Sequence, residues 1–390
     1  MMAKAMWGYG FRPFFLGAGA LAALLIPWWA GALAWGLPLE TAWPPSLWHG
    51  HEMLYGFIGA AIAGFLLTAV PSWTGERGFA GWPLILLATL WALGRAVVAT
   101  SSLWPMPWVA ALDLSFVPGL IVLLVPPLAR ARSRNTPLLA VLAAFWATDV
   151  AFYWGLWHGN VRFAEHSLFI GIDIVLVLVT VIGGRIVPAF TSAALRQRGI
   201  LSPVRSARAL TPLAVGAMLG VTLIDLWKPE SAVAGRAAAL AALVQFIRLA
   251  QWQSTRTLRM PIVWVLHLAY LWLPLGLALK ALTLLTSVTF GQFYLHALTI
   301  GAAATMIVAV MTRASLGHTG RPLVVAWPTT CAYGLLTAAA AVRVFGPVLL
   351  PTPYPQVVLV AAGLWTLAFV LFLGVYAPIL LNPRVDGKPG

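Results

Sequence analysis

Residues 51–72, HEMLYGFIGAAIAGFLLTAVPS, set a histidine and a glutamate ahead of twenty residues without a charge. At about 1.5 Å per residue, such a run crosses the roughly 30 Å of a bilayer's hydrocarbon as a helix, a form that satisfies its own backbone polar groups. Comparable runs recur along the chain near 14–35, 50–72, 81–100, 106–129, 135–157, 165–191, 209–226, 231–251, 261–285, 292–313, 322–345 and 355–382, twelve in all. Short, proline-marked connections such as Trp43-Pro44-Pro45 and Trp104-Pro105-Met106-Pro107 leave no room for a separate soluble domain. The chain therefore reads as an all-α polytopic membrane protein with 12 transmembrane helices, a single transmembrane domain over 1–390. Composition agrees: 61% of residues are hydrophobic, 9% are charged, and the mean hydropathy is +0.90. The lone cysteine, Cys331, excludes an intrachain disulfide and a cysteine-rich zinc or iron–sulfur site. The first fifteen residues carry no signal-peptide cleavage pattern, so the first run is expected to stay as a span.

The net charge of +14 would suggest nucleic acid until the charges are placed. With both termini on one side, that side receives seventeen basic residues: Lys4, Arg12, Arg77, Arg130, Arg132, Arg134, Arg196, Arg198, Arg205, Arg208, Arg248, Arg256, Arg259, Arg313, Arg321, Arg384 and Lys388. The other side receives four, Arg162, Lys228, Arg236 and Arg343. The positive-inside rule makes both termini cytoplasmic. Trp28, Trp29, Trp35, Trp43, Trp48, Trp104, Trp108, Trp154 and Trp157 then form an aromatic belt at the outer boundary. The expected partner is membrane lipid, with no nucleic acid.

Three histidines are followed five residues later by glycine: His51…Gly56, His166…Gly171 and His296…Gly301. They open the second, sixth and tenth runs, four helices apart, and enter the bilayer from the same side. His51 and His296 match further. Each precedes a Thr-Gly by 23 residues, Thr74-Gly75 and Thr319-Gly320, at an offset of 245. The simplest reading is three four-helix repeats around a pseudo-threefold axis. His49 and His158 share the outer depth of these three. Such histidines suit an axial haem position or a copper, zinc or iron site.

Twelve spans with histidines on the second, sixth and tenth resemble the large subunit of haem–copper oxidases. In that family the second and tenth spans clamp a haem and the sixth supplies a copper ligand. This chain departs from it in lacking an adjacent His-His pair on the seventh span and a His-x-His on the tenth.

A closer resemblance is carried by Phe11-Arg12-Pro13-Phe14-Phe15, Trp48-His49-Gly50-His51-Glu52-Met53, and Ala63-Gly64-Phe65-Leu66-Leu67-Thr68-Ala69-Val70-Pro71 with Trp73-Thr74-Gly75. Gly183-Gly184-Arg185-Ile186-Val187-Pro188, Leu295-His296-Ala297-Leu298-Thr299 and Met311-Thr312-Arg313-Ala314-Ser315-Leu316-Gly317-His318-Thr319-Gly320-Arg321 add to it. Together these resemble the NnrS family over nearly the whole chain. The resemblance implies a multi-pass protein of the bacterial inner membrane that contains haem, expected to be b-type, and copper. It further implies a role in nitric-oxide resistance or response in denitrifying and related bacteria, without implying a catalysed reaction.

On this reading His51 and His296 are the leading haem ligands. His49, His158 and His166 are candidates for copper or a second haem. Arg95 and Arg343, with Arg162, Arg236 and Lys280, are candidates to neutralise haem propionates. Glu52 is placed to orient a ligand imidazole. Asp113, Asp149 and Asp173 lie within spans, where a carboxylate is expensive unless paired, and point to a proton path or a ligand's supporting groups. His318, in Gly-His-Thr-Gly-Arg, reads as loop architecture. Nitric oxide or a metal-nitrosyl species would meet the site from outside. Two rival functions stay open: a quinol-linked haem–copper redox enzyme with an electron-transfer partner, and a secondary transporter for a metal or haem.

Overall fold

The structure is a computed structural model that describes residues 5–201, 204 and 206–387. Lys4, Arg205 and Lys388 of the basic set lie outside the described residues. Among the described residues all regular structure is helical, and twelve helices are long and apolar enough to cross a membrane. They are α1 (Phe11–Trp35), α2 (Pro45–Thr74), α3 (Trp82–Ala99), α4 (Met106–Arg130), α5 (Leu138–Trp157), α6 (Val161–Gln197), α7 (Leu210–Trp227), α8 (Ala232–Ala250), α9 (Pro261–Leu285), α10 (Thr289–His318), α11 (Trp327–Leu349) and α12 (Tyr354–Leu381). The chain is a multi-pass membrane protein.

The helix ends follow from local sequence. Proline opens α2, α3, α4, α9 and α11 within the first two positions, where no backbone N–H is needed. Gly36 and Gly75 close α1 and α2 with φ of 68° and 72°, a left-handed turn that costs other residues a clash at Cβ. Beyond α2, Arg130 donates to Glu76 at 2.9 Å and holds that carboxyl below its usual range.

The chain divides into two compact units. The first comprises residues 1–171, 311–323 and 366–390; the second comprises 172–310 and 324–365. In the first unit α2 is packed by α1, α3 and α4. In the second, α9 is packed by α8, by the first half of α10 and by the second half of α6.

The 245-residue correspondence is written into the backbone. A π-helical segment begins directly after His51 (Glu52–Ile58) and directly after His296 (Ala297–Ala304). Gly75 and Gly320 are both left-handed, and Trp82-Pro83 and Trp327-Pro328 open the next helices at the same offset. α6 also carries a π segment, Val179–Gly183, and a left-handed Gly199 beyond its end. There, however, the segment starts thirteen residues after His166, so His166 does not share the register of the other two. The glycines of the His…Gly pairs are close-approach positions. A Cβ at Gly56 would meet Leu21 and Arg95, and one at Gly301 would meet the Trp272 ring.

A π turn widens the helix and misaligns a carbonyl. In α6 the carbonyl of Thr180 accepts from Arg248 Nη1 at 2.9 Å, and the same nitrogen donates to Tyr270 Oη at 3.0 Å. Tyr270 in turn donates to Gln245 Oε1 at 2.5 Å, and Gln245 Nε2 to Thr180 Oγ1 at 3.1 Å. Arg248 is fully buried, and Gly184 makes the space: a Cβ there would fall on the guanidinium. Gly184→Ala should cost about 1–3 kcal/mol through overpacking of this site, read as a lower midpoint of thermal unfolding in detergent. An unchanged midpoint would show that the guanidinium has somewhere else to go.

The motifs near the two ends of the chain meet in the first unit. Arg12 Nη1 donates to the carbonyls of Leu380 and Asn382 at 2.7 Å, satisfying the last turn of α12. His318 stacks on Tyr9 with ring centroids 5.9 Å apart, and its carbonyl accepts from Arg384 at 2.8 Å. These stretches serve architecture here. Removing Arg12 (Arg12→Ala) takes away two charge-assisted bonds, each worth roughly 1.5–3 kcal/mol, and should sharply lower the yield of monodisperse protein.

Candidate metal centre

Four helices of the first unit bring one charged cluster together. Six residues after the start of α2, His51 turns its ring inward, and Glu52 follows it at the first position of the π segment. Arg95 reaches in from α3, Asp113 from α4, and Asp149 from α5. All five are 0–8% exposed. His51 Nε2 lies 3.0 Å from Asp149 Oδ1 and 3.1 Å from Asp113 Oδ2. Its Nδ1 faces Glu52 Oε1 at 3.5 Å and has no hydrogen-bond partner among the described residues. Arg95 bridges the other side, Nη1 to Glu52 and Nη2 to Asp113 Oδ1. Tyr153 donates to Asp113 Oδ2 at 2.8 Å. Trp43, Tyr55, Phe152 and Tyr153 wall the imidazole, their ring centroids 4.7–6.4 Å from its own.

Two features make this cluster a candidate metal centre. One ring nitrogen carries at most one hydrogen, yet two carboxylate oxygens converge on it. The separation of Nε2 from each oxygen is a hydrogen-bond distance, and it is also the roughly 3.0 Å between ligands set at right angles around an ion at about 2.1 Å. The three ligand atoms all lie within 4.8 Å of one another. Charge makes the second case. Three buried carboxylates against one guanidinium leave two negative charges when His51 is neutral. Unpaired charge is expensive in a membrane interior, and one divalent cation would cancel it. Among the described residues this is the one group of three or more His, Cys, Asp or Glu side chains with ligand atoms so close.

A family profile described as NnrS protein matches residues 5–384. The chain belongs to the NnrS family. No curated protein matches it. In this NnrS-family chain the sequence-derived candidates part company. His51 and Arg95 share the cluster, linked through Glu52 and Asp113. His49, two residues earlier, stacks on Trp29 with centroids 4.1 Å apart and is no part of it. His158 is exposed beyond the end of α5, its Nδ1 2.9 Å from the Trp154 carbonyl. His166 is half-buried on α6, outside the cluster.

His296 and Arg343 belong to the second unit. His296 is half-buried at the mouth of its π segment. Arg343 is buried, with Nη2 2.5 Å from Tyr354 Oη and its guanidinium over the rings of Phe293 and Tyr354 at 5.4 and 5.0 Å. Its Nη1 is buried with no hydrogen-bond partner among the described residues.

Asp113 and Asp149, read from the sequence as part of a proton path or as a ligand's supporting groups, face the imidazole directly. Their signal was present: intramembrane carboxylates on neighbouring spans, level with an intramembrane arginine.

Proposed function

We propose that this NnrS-family protein is a metal- and haem-binding membrane protein of the nitric-oxide response, with copper(II) at His51, Asp113 and Asp149. The observation that carries the reading is the convergence of two buried carboxylates on one imidazole nitrogen. A nitrogen and oxygen donor set suits copper(II) among the divalent ions. Arg95 and Tyr153 would hold Asp113 by its two oxygens, fixing its direction as supporting hydrogen bonds do around metal ligands. The aromatic wall keeps water from the imidazole.

The same donor set does not suit haem at His51, since axial ligation would need Nε2 to leave both carboxylates. The haem is therefore assigned to the second unit, on His296. The unpartnered Nη1 of buried Arg343 and the aromatic rings against that guanidinium suit a propionate and a flat macrocycle. Bound there, haem would supply an iron able to take up nitric oxide or pass single electrons. On this reading the basic bias supports a cytoplasmic side for the termini in a bacterial inner membrane, with His51 and His296 each opening its span from the outer side.

Elemental analysis and oxidised and reduced absorption spectra of detergent-purified protein test this. The wild type should carry about one copper and a b-type haem spectrum that shifts with nitric oxide. His296→Ala should lose the haem bands and keep copper, and His51→Ala the reverse. A colourless, metal-free wild type from haem- and copper-replete cells would refute the assignment.

A further inference from the structure

The second unit buries another charged cluster. Asp225 lies two residues before the end of α7, Lys280 five before the end of α9, and Asp173 on α6. All three are 4–6% exposed. Lys280 Nζ bonds Asp225 Oδ2 and sits 5.9 Å from the centroid of the Tyr294 ring. Asp173 faces both Asp225 and Lys280. Asp225 Oδ1 is buried with no hydrogen-bond partner among the described residues. Among the described residues, Tyr294 faces Lys280, Asp225 and Asp173, and also feels Glu230, exposed in the turn after α7.

Two carboxylates and one ammonium leave one negative charge in an apolar surrounding, and a bare acceptor beside it. One proton removes both deficits. It neutralises the cluster and supplies a donor between the two carboxyls, as two carboxylates sharing a site commonly do. The residues contain no imidazole or thiolate that would favour a transition metal, and Lys280 already fills the place of a cation.

We propose that Asp173, Asp225 and Lys280 form a buried proton-exchange site, holding one proton between the two carboxyls. The exchange is carboxylate plus hydronium giving carboxylic acid plus water, with no electron transferred. The positions of Asp225 and Lys280 close to their helix ends give it a short path to the membrane surface opposite the termini. The inference stands apart from the metal and haem assignments and does not depend on them.

Infrared difference spectra of the purified full-length protein, recorded in H2O and D2O, test it. The wild type should show a carboxylic-acid stretch that moves to lower frequency in D2O. Asp173→Asn and Asp225→Asn should each abolish that band, because the remaining carboxylate pairs with Lys280. Lys280→Met should roughly double it, because both carboxyls then need a proton. Asp149→Asn, in the other unit, should leave it in place. If the asparagine variants do not fold, Asp173→Glu and Asp225→Glu should shift the band without removing it. Absence of the band from the wild type, or its persistence unchanged through the substitutions at 173 and 225, would overturn the proposal.

Discussion

Asp113→Asn should lower copper affinity by at least tenfold to a hundredfold, as should Asp149→Asn and His51→Ala. Supporting hydrogen bonds around a metal alone are worth about that much, and these three are assigned as the ligands themselves. Asparagine matches aspartate in size but removes the negative charge, so an affinity loss reads electrostatics and donor strength rather than packing. Competition against a chelator of known affinity, with metal counted per chain, gives the number. His49→Ala and His158→Ala should leave it unchanged, because His49 stacks on Trp29 and His158 is exposed beyond its helix. Retention of full copper by all three ligand variants would remove the centre from the first unit.

The fold was open to reading because its determinants are local and long. Twenty uncharged residues in a row need no knowledge of the rest of the chain, and the apolar runs correspond to the twelve spanning helices. The charged centre is different in kind. His51 is conspicuous through Gly56 and its counterpart His296, but its partners lie 62 and 98 positions away on separate helices. Nothing in their spacing marks Asp113 and Asp149 as facing one imidazole. Glu52 was expected to orient the imidazole through its second nitrogen. It does stand beside Nδ1, and its strong bond goes to Arg95. The π segments were also beyond sequence pattern. They break the 3.6-residue period locally, and only the backbone shows that the repeat at 245 includes them. His267 shows the converse. It is a buried histidine whose nitrogens meet the hydroxyls of Thr191 and Ser254 at 2.8 and 2.9 Å, so burial alone would have made it a ligand and its partners make it structural.

Arg95→Met should be the most damaging single substitution in the first unit, and its effect should depend on metal. Arg95 is the guanidinium bonded to both Glu52 and Asp113, and methionine fills much of its volume without the charge. Breaking a buried ion pair from one side costs about 3–5 kcal/mol because the other charge stays behind. Two carboxylates would be stranded here. The net charge of the cluster would fall from two negative to three, beyond what one divalent ion cancels. The variant should therefore unfold at lower temperature or denaturant than wild type, and saturating copper should recover only part of the difference. Arg95→Lys keeps the charge but lacks the planar fork that reaches two carboxylates at once, so its loss should be intermediate. Adding Glu52→Gln to Arg95→Met should restore stability, since it removes one stranded charge; the double variant should be more stable than the single. Equal stability of the single and double variants would mean that Glu52 is not held by Arg95 in the folded protein, and the charge argument for a divalent ion would fall with it.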